Sequence, residues 1–277
     1  MHLAINGAST MTSGLSTDIA SASAGGFKYL EIWAAKMDSY LQANSISDLR
    51  ELFRQKRVEP ASINSIEFIT FRGADYEKVR ARCKELCARA QSLGCPYIVV
   101  VPSPTPSRET TWEEIKAESV KVLRDLGEIA APYGVGLAFE PLGFGWCSVR
   151  TLRAAWEIVH EAGRDNLGVV LDACHFYGGG SEMKEIEALD PARLFIFHLD
   201  DVEDGPKESI TDARRLLPGR GVLPLDEICA RVQKIGFDGL ISVELFRPEY
   251  WAWPPEELAR QARESAIQVL KPYFQED

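Results

Sequence analysis

Four short apolar runs in this chain each end on a residue able to hold a hard cation. They are GLAFEPL (136–142), GVVLDACHF (168–176), LFIFHLDD (194–201) and LISVELF (240–246), and the residues are Glu140, Asp172, His198 and Glu244. Runs of small and β-branched apolar residues read as strands buried on both faces, as a parallel sheet covered by helices requires. At the C-terminal mouth of a (β/α)8 barrel, residues at successive strand ends converge on one point. The expectation is therefore an α/β fold, a single (β/α)8 TIM barrel, with one divalent-metal site built from three carboxylates and one imidazole.

The rest of the chain fits eight βα units. Strand candidates fall at 2–6, 28–33, 62–69, 97–102, 136–142, 167–173, 194–200 and 240–246, with helical patterns between them. SDLRELFRQKR opens at a candidate N-cap, Ser47, and ends on basic residues that suit the helix dipole. The stretches 74–93 and 112–131 carry apolar stripes at helical spacing, and SVRTLRAAWEIVHEAG runs from Ser148 to Gly163. Short αβ turns contrast with long βα loops at 102–111, 174–182, 201–223 and 247–254, the asymmetry of a barrel with its site on one face. No Pro/Gly/Ser-rich linker divides the sequence, so residues 1–277 read as one catalytic domain.

Charge and cysteine usage exclude several classes. With 31 Lys and Arg against 41 Asp and Glu, the net charge is −10, which argues against nucleic acid as a partner. No apolar run reaches the ~18 residues of a membrane span and no secretory leader is visible, so a cytoplasmic protein is expected. The six cysteines form no CxxC pair; Cys83 and Cys87, four apart on one helix face, read as core packing. A homo-oligomer is left open.

Along the strands, Ala138 and Glu140 share a face, as do Val170 and Asp172, and Ile196, His198 and Asp200. Oxygen ligands with one imidazole suit Mn2+ first, and Mg2+ or Co2+ as well; Zn2+ can occupy such a site. A cation chelating a ketone and its neighbouring hydroxyl acidifies the C–H between them, and two groups must then move the proton. Glu140 and Glu244 could flank a flat substrate. His175 could orient a hydroxyl. Asp200 and Asp201, next to His198, could hold its free ring N–H. Trp33 and Phe68, with Trp146 and Phe246, could wall a sugar-sized pocket, and Arg247 could reach a substrate oxygen or pair with Glu249.

The spacing of Glu140, Asp172, His198 and Glu244, with VVLDACHF, HLDDVED, PGRGVLPLD and SVELFRPEYW, resembles the xylose-isomerase-like barrel superfamily of sugar isomerases and epimerases. The resemblance covers the whole chain and is closest to the isomerases of keto-inositols. It implies that these four residues bind the metal and that the two glutamates also transfer protons. It further implies that His175 contacts a small keto-polyol or keto-sugar substrate. CHFYGGGS and the 201–216 loop depart from the family pattern. An isomerase moving a carbonyl between adjacent carbons through an enediolate is expected. A 3-epimerase or an enolate-based lyase is the alternative on the same site. The superfamily's abasic-site endonucleases need several further histidines that this chain lacks, and a sugar-binding barrel would leave the acids unexplained.

Overall fold

A computed structural model describes residues 1–275. Seven parallel strands come first: β1 (His2–Asn6), β2 (Tyr29–Trp33), β3 (Glu59–Ile66), β4 (Tyr97–Val100), β5 (Gly136–Phe139), β6 (Leu167–Asp172) and β7 (Leu194–Leu199). A two-stranded antiparallel ribbon follows, β8 (Asp201–Val202) with β9 (Arg215–Leu216), and then β10 (Leu240–Val243). Among the described residues, eight of these strands close into a ring ordered β1-β10-β7-β6-β5-β4-β3-β2. Closure is made by β1, which pairs in parallel with β2 (Ala4 opposite Tyr29) and with β10 (His2 opposite Leu240).

The strand interior is narrow because its residues are small. Ala4, Ala61, Val99, Ala138, Val170 and Ile196 form an inner apolar plug beneath the mouth. A larger shell between strands and helices supplies the main core, drawing on Ile19, Leu86, Leu126, Ile158, Ile228 and Leu258. Cys83 and Cys87 lie in that shell as free thiols, their sulfurs 3.9 Å apart. The packing role expected from their spacing holds.

Element ends differ from the sequence reading where side-chain capping decides them. The helix Ile46–Lys56 is capped by Ser45, not Ser47: Ser45 Oγ accepts from Asp48 N and Asp48 accepts from Ser45 N, a reciprocal box that Ser47 cannot form. Thr151, three residues after Ser148, caps the helix Leu152–Ala162, and Gly163 ends it in a left-handed conformation. The expected loop at 174–182 is largely a short helix, Ala173–Gly179, because Asp172 Oδ1 accepts from His175 N at 2.6 Å and caps it. The strand expected at 62–69 is shifted earlier, to Glu59–Ile66. The 201–223 loop is not featureless; it holds the β8–β9 ribbon over the mouth. Among the described residues, no helix is long and apolar enough to cross a membrane.

Candidate metal centre and active site

Four neighbouring strands of the ring each deliver one donor. Asp172 ends β6 and His198 lies next to it in register on β7; Glu140 and Glu244 each follow the last residue of β5 and β10. Their ligand atoms all lie within 4.8 Å of one another, and all four residues are buried. The ring of His198 organises them. Its Nδ1 lies 2.9 Å from Glu140 Oε1, 3.4 Å from Glu244 Oε2 and 3.7 Å from Asp172 Oδ2.

The other face of His198 is not held as expected from sequence. Its Nε2 meets Glu31 of β2, 3.0 Å from Oε2, across the barrel interior. Asp200 and Asp201 do not reach the ring. Asp200 accepts from Cys174 N and pairs with Arg215. Asp201 accepts from Val202 N, Gly221 N and Leu223 N, and so closes the ribbon loop. Adjacency in sequence misleads here because consecutive strand residues point to opposite faces, and because Asp200 stands one layer above the imidazole.

Glu244 is held from two sides. Asn6 Nδ2 and Asn64 Nδ2 donate to its Oε1 at 2.8 and 3.0 Å, which leaves Oε2 toward His198 and Arg215. Arg215, on β9, is fully buried: Nη1 lies 2.6 Å from Asp172 Oδ2 and 3.2 Å from Glu244 Oε2, and also pairs with Asp200. Its Nη2 lies 3.2 Å from His175 Nε2. Asn6, Glu31, Asn64 and Arg215 were not picked out from sequence. Glu31 alone left a signal, an acid inside the apolar run YLEIW, where an unpartnered carboxylate is costly.

The electrostatics follow from burial. Desolvation opposes charge on His198, yet Glu244, Glu31 and Glu140 around it outweigh that and hold its pKa well above the ordinary histidine range. Burial, with repulsion from Glu140 and Asp172, pushes the Glu244 carboxyl well up, and burial with Asp172 does the same to Asp200. Burial would also raise Glu31, but His198 more than offsets it and the carboxyl is lowered. Asp172 is lowered too, since Arg215 and the nearby imidazoles overcome its burial. Five buried carboxyls (Glu31, Glu140, Asp172, Asp200, Glu244) thus face two cationic side chains, His198 and Arg215. That excess of negative charge, on a donor set of three carboxylates and an imidazole nitrogen, fits a divalent cation.

Above this centre lies a cavity of about 190 Å3, lined by Glu140, Glu244, His175, Arg215 and an aromatic rim. Trp33 packs edge-on to Phe246 (5.5 Å) and Phe68 to Trp146 (6.1 Å). Phe68 holds a left-handed φ of 56°, an uncommon conformation for a bulky side chain. Trp33 and Phe68 are therefore brought to the cavity; Arg247 is not. It pairs with Glu203 (2.7 Å) and Glu249 (3.2 Å) and ties the ribbon to the segment after β10. His175 lies on the wall, its Nδ1 buried and without a hydrogen-bond partner among the described residues.

A closed parallel barrel with an acid–imidazole centre at its C-terminal mouth defines a class, and the chain belongs to it: the xylose isomerase-like TIM-barrel family, whose model matches residues 19–270. Among its relatives, the inosose isomerase of Bacillus velezensis is 38% identical over 280 residues, covering 100% of both chains. That of Bacillus subtilis (strain 168) is 37% identical over 277 residues, covering 99% of each. A crystal structure of the IolI protein with a bound zinc atom superposes with a TM-score of 0.96 at 37% identity, covering 99% of this chain and 100% of the other.

Proposed function

We propose that this protein is a divalent-metal-dependent isomerase that shifts a carbonyl between adjacent carbons of a keto-inositol through an enediolate. The observation that carries this reading is the convergence of Glu140, Asp172, His198 and Glu244 from four neighbouring strands beneath a small cavity. Full-length identity to inosose isomerases, and the zinc-bearing IolI structure, support it.

The four residues hold one divalent ion, with Mn2+ the first choice for a site this rich in oxygen. Such an ion supplies Lewis acidity to the neighbouring carbonyl and hydroxyl oxygens of the substrate. The chain's own residues do the rest. Glu140 and Glu244 stand on β5 and β10 with two strands between them, so they border the cavity from different sides. One takes the proton from the carbon beside the ketone and the other returns a proton to its neighbour. The two asparagine amides on Glu244 fix its carboxylate plane, and the guanidinium of Arg215 stabilises negative charge beside it. With its Nε2 accepting from Arg215, the His175 ring is held on the cavity wall, where it borders the substrate. The aromatic rim offers ring faces to the C–H groups of a cyclic polyol and excludes water. The cavity is smaller than the ~300–1,000 Å3 of drug-sized sites, in keeping with a single unadorned ring.

Steady-state kinetics on keto-inositols and ketohexoses with the same metal tests the reading. A keto-inositol should be preferred; a ketohexose preferred by about tenfold, ~1.4 kcal/mol of discrimination, would make the protein an epimerase instead.

A further inference from the structure

We propose that Arg215 is a resident second cation: its guanidinium occupies the position that another divalent ion would take beside the Glu140–Asp172–His198–Glu244 centre, and it fixes that centre at one metal per chain. The inference rests on the metal reading given above.

The guanidinium is surrounded as a metal would be. Nη1 contacts carboxylate oxygens of Asp172, Asp200 and Glu244, and Nη2 faces an imidazole nitrogen of His175. An arginine nitrogen can only donate, so His175 Nε2 turns a lone pair toward it. Three buried carboxylates and one imidazole lone pair thus meet the two terminal nitrogens of Arg215, the same donor types that converge around His198 Nδ1, and the partly exposed Asp212 adds a fourth carboxylate at 3.0 Å from Nη2. The two sets share oxygens. Asp172 Oδ2 lies 2.6 Å from Arg215 and 3.7 Å from His198 Nδ1, and Glu244 Oε2 lies 3.2 and 3.4 Å from the same two groups. Shared carboxylates of this kind bridge the ions of two-metal sites, which lie ~3.5–4 Å apart. Asp172, Cys174 and His175 also offer ligand atoms within 4.8 Å of one another on this side of the centre.

Arg215 differs from a metal in being covalently delivered. It arrives on β9, its Nε bonded to Asp212 at 3.1 Å, and the ring of Phe246 lies 5.5 Å from its guanidinium carbon. Its charge is permanent across the working pH range and cannot be lost to dilution or a chelator. A centre that needs two positive charges is therefore left dependent on only one dissociable ion.

Metal content after equilibrium dialysis against excess Mn2+, with electron paramagnetic resonance of the loaded protein, tests this. Wild type should bind one Mn2+ with an uncoupled signal. Arg215→Met, which removes the cation and offers no hard ligand, should bind two and show spin coupling. Arg215→Lys should stay at one, and adding Asp200→Asn to Arg215→Met should return it to one. Two ions in wild type, or one in folded Arg215→Met, would overturn the proposal. If Arg215→Met does not fold, Arg215→Gln carries the same two outcomes. A wild type that binds no metal would instead overturn the metal reading on which the proposal rests.

Discussion

His198 Nε2 and the carboxylate of Glu31 lie 3.0 Å apart, both side chains sealed from solvent inside the barrel. This contact fixes which ring nitrogen carries a proton and leaves Nδ1 for the three carboxylates opposite. Glu31→Gln keeps the shape of that partner but loses its charge. It should weaken divalent-metal affinity by roughly 10–100-fold, with Glu31→Ala weakened at least as much. Chelator competition followed by metal analysis checks this; unchanged affinity in both variants would reduce Glu31 to a packing residue.

Direct ligands should act more severely. Asp172→Ala and His198→Ala each remove one donor from the centre, and both should lose most bound metal while remaining folded. Metal content alongside circular dichroism reads both quantities. Full occupancy in both variants would remove the centre as drawn.

A separate buried pair gives a pH signature. Lys36 Nζ lies 2.8 Å from Asp18 and also donates to the carbonyls of Gly7 and Thr10, pinning the turn after β1. Burial outweighs the lysine and pushes the Asp18 carboxyl up to about 6, while burial lowers Lys36. A carboxyl whose folded pKa is raised binds its proton more tightly folded than unfolded. Stability from this group therefore rises as pH falls from about 6 toward the ordinary carboxylate range, the reverse of a typical ion-paired aspartate. Asp18→Asn should cost roughly 3–5 kcal/mol at neutral pH by leaving Lys36 unpaired. The wild-type advantage should grow by about 2 kcal/mol on going to pH 4.5. Thermal unfolding of both proteins across this range measures it, and an advantage that shrinks on acidification would contradict the assignment.

The barrel and its four candidate ligands were legible because each ligand ends an apolar run, where strand period and burial leave little choice of position. The asparagines and Glu31 were hidden by the same logic: they lie on β1, β2 and β3, whose sequences end on no acid. Arg215 was hidden more deeply. It sits in a polar stretch with no periodicity, and only the ribbon formed by Asp201–Val202 and Arg215–Leu216 brings it 43 residues along the chain to Asp172. For Arg247 the sequence left two roles open, a substrate oxygen or Glu249, and the structure pairs it with Glu249 and Glu203.

The central claim is that Glu140 and Glu244 move the proton between them, and glutamine variants in D2O test it most directly. Glu140→Gln and Glu244→Gln each keep an oxygen donor and remove a base. With metal bound and a keto-inositol as substrate, each should lose at least the ~10²–10⁴ typical of general acid–base catalysis. Nuclear magnetic resonance of the substrate should separate them: one variant still exchanges the hydrogen beside the ketone with solvent but forms no product, and the other does neither. Near-normal turnover in both metal-loaded variants would contradict the account.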